Sequence, residues 1–406
     1  MSKAFDTIDH SILLKKLSYY GITGPELDWF QSYLSDRTQF VDIDGVQSQH
    51  LHITTGVPQG SILGPLLFLI YINDLSYASN FISIMYADDT NLLSTLCNFH
   101  CNNVSNAQLS RNINSELAKV SDWLAVNKLS LNVGKTKFMI FHTKQKKLLP
   151  PVIPNIMICG KAIERVESFK FLGVLIDHKL SWNDHVNSIS NKLSRICGIL
   201  SNLKLILPQN ILIMIYNSLF LAHLNYGITA WGFHSCTRII KLQKKAVRNI
   251  SKSNYLAHTS PLFKQLGLLK LDDLFNLACI KILYKLKNHT LPPYFANFVI
   301  FDPPMHPAQE RRRTIRTPNR FNNTLNDLPC FNPVAAINFT NTKTSRLCIR
   351  HKIPTLINDN YLPPIVMDKI DTHSFKGFTL YAKNYILNNY LCVCNVSNCY
   401  ICNNNR

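Results

Sequence analysis

Two adjacent acids, Asp88 and Asp89, end the stretch Met85-Tyr86-Ala87-Asp88-Asp89. Side by side at neutral pH they repel, and burying an unpaired carboxylate is expensive. A hard divalent cation gives such a pair a purpose. Mg2+ takes oxygen ligands and is commonly held by one or two carboxylates together with substrate phosphates. Two such ions ~4 Å apart activate an attacking hydroxyl and stabilise a leaving phosphate oxygen. The plain alternative is an acidic turn facing water. Upstream, Gly56-Val57-Pro58-Gln59-Gly60-Ser61 is a glycine-rich turn feeding a helix, which lets backbone come close to a sugar or base. Near the end, Cys392-x-Cys394-x4-Cys399-x2-Cys402 offers four thiolates. Four sulfurs suit tetrahedral Zn2+, and unligated thiols are the other reading.

These residues need elements to place them. Phe81–Met85 reads as a buried strand leading into the double aspartate, with a second strand near 91–95. His10–Tyr20 carries Ile12, Leu13, Leu14 and Leu17 on one helical stripe. Thr23-Gly24-Pro25-Glu26 has the form of a capping box opening a helix to about Leu34. Asp44-Gly45 predicts a hairpin between 38–43 and 46–53. An apolar helix follows the glycine-rich turn to about Leu75, and 107–126 has amphipathic helical spacing. Residues 136–141 read as a strand, 153–166 as a small hairpin and 169–176 as an apolar strand pair. From about Ser181 the pattern becomes helical over 186–200, 211–226 and 237–250. Packed helices with antiparallel strands make this an α+β chain.

Lys and Arg number 43 against 24 Asp and Glu, a net charge of +19 over 406 residues. That excess favours a polyanionic partner. No run reaches the ~18 uncharged apolar residues of a bilayer span, so no membrane partner is expected. The scattered cysteines are expected to be reduced.

Together the blocks resemble the palm of a reverse transcriptase, an RNA-directed DNA polymerase, of the non-LTR retrotransposon type. In that family a Tyr-x-Asp-Asp turn, here Tyr86-Ala87-Asp88-Asp89, carries metal-binding carboxylates. Pro58-Gln59-Gly60 matches the turn that positions template and incoming nucleotide. Lys3-Ala4-Phe5-Asp6 with His10 looks like the first palm block, and Phe5 matches the bulky residue that crowds a 2′-hydroxyl. A plain core Phe is the alternative. Lys135, after Leu129-Ser130-Leu131-Asn132, matches a lysine near the pyrophosphate, or is a solvated surface lysine. Phe171-Leu172-Gly173 sits in a segment resembling the hairpin that grips the primer end, or is a core strand. Asn225-Tyr226-Gly227, Trp231-Gly232 and Gln243–Arg248 look like the helical region beyond the palm.

The resemblance implies a right-hand polymerase: a palm of antiparallel sheet and helices over 1–177, a helical thumb over 181–250, and a mostly helical extension over 251–406. It implies two Mg2+ ions, an RNA template, a DNA primer and deoxynucleoside triphosphates, and action in the nucleus. The family's first block begins with a further metal-binding Asp. Counted back from Lys3, that position falls immediately before Met1, and Asp6 lies roughly 20 Å further along an extended strand. The expectation is therefore an N-terminally truncated polymerase without fingers, inactive as given. The other reading is a non-enzymatic, basic nucleic-acid-binding remnant.

Overall fold

The computed structural model describes residues 1, 3–94, 106–141, 155–234, 236–292, 300–301, 315–316, 369–370 and 372–390. The chain divides into two compact units, Met1–Glu167 and Ser168–Arg406. Each has its own apolar core among the described residues.

In the first unit, α1 (His10–Tyr19) is capped by Asp9, whose carboxylate accepts from the Ile12 N–H at 3.0 Å. Asp9 also takes the Lys128 ammonium at 2.6 Å. Those hydrogen bonds, Lys128 first and Ser11 next, hold its carboxyl well below the usual range. Leu13 and Leu17 turn from α1 into the core, as the helical stripe requires. Helix α2 (Pro25–Leu34) starts differently from expectation. Gly24, at φ +65°, is the cap, no side chain completes a capping box, and Pro25 takes the first helical position.

The Asp44-Gly45 hairpin forms, with both turn residues at positive φ. Its ladders are short: β1 (Thr38–Gln39) pairs with β4 (Leu51–His52), and β2 (Asp42–Ile43) with β3 (Val46–Gln47). Helix α3 (Leu63–Ile72) buries Leu67, Phe68, Tyr71 and Ile72. A 3-10 turn, Asn73–Tyr77, finishes the expected apolar helix. Strands β5 (Ile82–Tyr86) and β6 (Asp89–Leu93) form the antiparallel pair that carries Asp88 and Asp89 at its tip. Helix α4 (Asn106–Val126) follows, then β7 (Lys137–Phe138), β8 (Met157–Ile158), β9 (Lys161–Ala162) and β10 (Glu164–Arg165). Strand β7 pairs with β10 in parallel and β8 with β9 antiparallel.

The second unit begins with the hairpin β11 (Ser168–Phe171) and β12 (Val174–Asp177). Helices α5 (Asn183–Leu203) and α6 (Gln209–Ile215) follow, and a wider π turn, Tyr216–Leu221, leads into α7 (Ala222–Asn225). After α8 (Ile228–Trp231) come α9 (Thr237–Ile250), α10 (Thr259–Gln265), α11 (Leu271–Lys287) and α12 (Phe375–Asn388). Buried Leu193, Cys197 and Leu200 on α5 and Ala246, Val247 and Ile250 on α9 belong to one core, as their helical spacing predicts.

The mixture of helices and strands fits the α+β expectation. Among the described residues the strands pair two at a time. No described helix is long and apolar enough to cross a membrane. Described cysteines 159, 197, 236 and 279 form no disulfide among the described residues, and burial pushes the Cys197 thiol up to about 11. The cluster Cys392, Cys394, Cys399 and Cys402 lies outside the described residues.

Candidate active site

The β5–β6 hairpin brings the double aspartate to a point. Tyr86 pairs with Asp89 across the ladder, leaving Ala87 and Asp88 as a two-residue connection. Ala87 takes φ +51°, the left-handed backbone that tight hairpins demand. Asp88 is half-buried and Asp89 exposed. Among the described residues neither carboxylate has a hydrogen-bond or ion-pair partner. Two adjacent acids whose carboxylates have no donor among the described residues keep free oxygen lone pairs, a donor set suited to a hard cation. No described group of three or more His, Cys, Asp or Glu side chains stands together in a metal-binding arrangement. The Met1 ammonium lies at this tip, 3.3 Å from the Asp88 carbonyl oxygen.

The glycine-rich turn is knitted to the first block by backbone. The Gly56 N–H donates to the Ile8 carbonyl at 2.7 Å and the Val57 N–H to Phe5 at 2.8 Å. Gly56 sits at φ +89° against Asp6, where an added Cβ would lie 2.8 Å from the Asp6 Cα. No other residue fits there without moving the chain. His10 Nε2 lies 2.7 Å from the Gly56 carbonyl oxygen and donates to it. Gln59 reaches back and donates to the Asp6 carboxylate at 2.6 Å. Behind the turn, Ser61 donates to the Pro58 carbonyl at 2.7 Å and accepts from the Gly64 N–H at 2.9 Å. Gly60, at φ +80°, has open space around it.

Phe5 stacks on Phe68 of α3, ring centroids 4.4 Å apart, and stays partly exposed. Tyr71, one helical turn beyond Phe68, donates its hydroxyl to the Asn127 carbonyl at 2.7 Å. Burial pushes that phenol up to about 12. Tyr86 is 65% exposed beside the acids, so its ring is open to a ligand. Lys135 is exposed in a turn closed by Asn132, and its ammonium has no partner among the described residues. Phe171, Leu172 and Gly173 belong to the second unit.

Sequence reasoning missed three features here: the Asp6–Gln59 bond, the His10 contact and the Asp9–Lys128 pair. Each joins residues far apart in the chain, and no local pattern marks it.

The reverse transcriptase (RNA-dependent DNA polymerase) family model matches residues 1–176. The chain is 26% identical over 310 residues to the RNA-directed DNA polymerase from mobile element jockey of Drosophila melanogaster, covering 71% of this chain and 32% of that protein. It is similarly 26% identical over 315 residues to the probable RNA-directed DNA polymerase from transposon BS of the same organism, with the same coverage. To the Pol polyprotein from type-1 retrotransposable element R2 of Popillia japonica it is 24% identical over 188 residues, 42% of this chain and 29% of that one. The chain thus spans about a third of the length of the first of these relatives. The paired acids, the turn knitted to the first block and the matched span agree: residues 1–176 match the reverse transcriptase family model.

Proposed function

We propose that this chain is the polymerase part of a non-LTR retroelement enzyme that adds deoxynucleotides to a DNA primer on an RNA template. The observation that carries this is the β5–β6 tip, where Asp88 and Asp89 present free carboxylates within the span that matches that family's model. In this reading the two acids hold Mg2+, which supplies charge stabilisation at the transferring phosphate. Pro58, Gln59 and Gly60 line the template and incoming nucleotide. Phe5 crowds the sugar from its stack on Phe68, Tyr86 flanks the acids, and Lys135 meets the departing pyrophosphate. Phe171, Leu172 and Gly173 hold the primer end. The basic surface of α5 and α9 takes the nucleic-acid backbone.

The second reading is nucleic-acid binding without catalysis, which the net charge of +19 favours. Mg2+-dependent primer extension separates the two. Residues 1–406 are compared with a chain extended upstream through the Asp and the preceding family region, each with and without Asp88→Ala. The expected result is extension by the longer chain at least ~1000-fold faster than by 1–406, abolished by Asp88→Ala. An extended chain that binds duplex yet shows no synthesis would establish the second reading.

A further inference from the structure

The β11–β12 hairpin turns through Leu172 and Gly173, at φ +43° and +84°. Phe171 pairs with Val174, so this is a two-residue connection. Glycine adopts such backbone freely, whereas leucine rarely does. Tyr226 packs on this turn from outside the hairpin. Its hydroxyl donates to the Leu172 carbonyl at 2.5 Å. Its ring covers Gly173, where an added Cβ would stand 3.2 Å from the ring.

Tyr226 is itself fixed. Its carbonyl accepts from the indole N–H of fully buried Trp231 at 3.0 Å. The next residue, Gly227, takes φ +60° and lies so near Val174 that a Cβ would come within 3.1 Å of it. The segments Asn225-Tyr226-Gly227 and Trp231-Gly232 therefore shape a corner between α7 and α8 that receives the hairpin tip. The second strand is tied down as well. The Leu175 N–H donates to His185 Nδ1 at 3.2 Å, and Asp177 accepts from the N–H groups of Lys179, Ser181 and Trp182.

We propose that Tyr226 is a positioning residue that sets the hairpin turn and, through it, the placement of the primer 3′ end. This rests on the reading of 168–177 as the primer-holding element. The hydroxyl is the specific agent, because it meets the one carbonyl at the strained turn, while the ring alone supplies packing.

The test uses the full chain with a recessed DNA primer on RNA, carrying 2-aminopurine at the primer terminus. Terminal fluorescence reports placement, anisotropy reports duplex affinity, and a melting curve reports folding. Tyr226→Phe removes one hydroxyl. Lys170→Glu, on an exposed position of β11, tests the hairpin reading by itself. The expected result is a terminal signal changed at least about threefold in Tyr226→Phe, with duplex affinity within about twofold and the melting midpoint retained. Should Tyr226→Phe melt below the assay temperature, Gly173→Ala, which pushes a methyl against the same ring, decides by the same criterion. An unchanged terminus in Tyr226→Phe beside a changed one in Lys170→Glu overturns the role of Tyr226 and leaves the hairpin reading intact. Unchanged signals in both, or no duplex binding at low salt, remove the hairpin reading and the positioning role together.

Discussion

The side-chain amide of Gln59 donates to the Asp6 carboxylate at 2.6 Å, across 53 positions of chain. An ionised carboxylate only accepts, so the amide nitrogen must face Asp6. The Gln59 carbonyl oxygen is then the atom left for a ligand. Asp6 thus orients the turn.

Asp6→Ala frees that amide to rotate. Charge-assisted hydrogen bonds contribute about 1.5 kcal/mol in net terms. The expected outcome, in the upstream-extended chain, is a kcat/KM for nucleotide addition lowered by roughly tenfold. Asp6→Asn keeps an acceptor oxygen and should lose less. Steady-state primer extension on both variants checks the ranking, and equal losses would count against the orienting role.

His185 supplies a pH dependence. Its Nδ1 accepts from the Leu175 N–H, and its buried Nε2 has no hydrogen-bond partner among the described residues. Burial first, and the nearby Lys192 second, lower its pKa from the ordinary value of 6.5. A base with a depressed folded pKa contributes stability that is present above its unfolded value and lost as pH falls through the folded one. Protonation would also put a hydrogen on the nitrogen that must accept from Leu175. The Leu175 amide, corrected for intrinsic exchange, should therefore lose roughly tenfold in hydrogen-exchange protection as pH falls below the ordinary histidine value and through the lowered folded one. His185→Leu should flatten this dependence at a uniformly lower protection.

Gln243 is the buried polar hinge of the second unit, 1% exposed on α9. Its amide donates to the Tyr216 hydroxyl at 3.0 Å and the Leu269 carbonyl at 2.9 Å, and its oxygen accepts from the Leu271 N–H at 3.0 Å. Gln243→Leu matches the size and strands those partners, each at a cost of about 1–3 kcal/mol. The thermal midpoint of the helical unit should fall by at least roughly 6 °C, read by circular dichroism. Gln243→Glu should rescue little, since a carboxylate cannot donate to either acceptor.

Local order alone determined several features of this protein. The apolar run Ile82–Met85 followed by two small or acidic residues sets a strand and a two-residue turn, because side chains alternate and the hairpin loop is short. Asp44-Gly45 and the stripes of α5 and α9 were legible for the same reason: each depends on neighbours within one or two turns of chain. Where two local signals competed, structure chose. At the start of α2 the left-handed Gly24 took the cap that Thr23 appeared in sequence to offer, since Pro25 already fixes the first helical residue. The longer-range decisions belong to the tertiary fold. Asp6 with Gln59, Tyr226 with Leu172, and Gln243 with Leu269 and Leu271 depend on packing that brings distant backbone within about 3 Å. Hydrogen bonding is short-ranged and directional, so these partnerships exist only once the fold has brought the segments together, and buried Gln243 must in addition be satisfied.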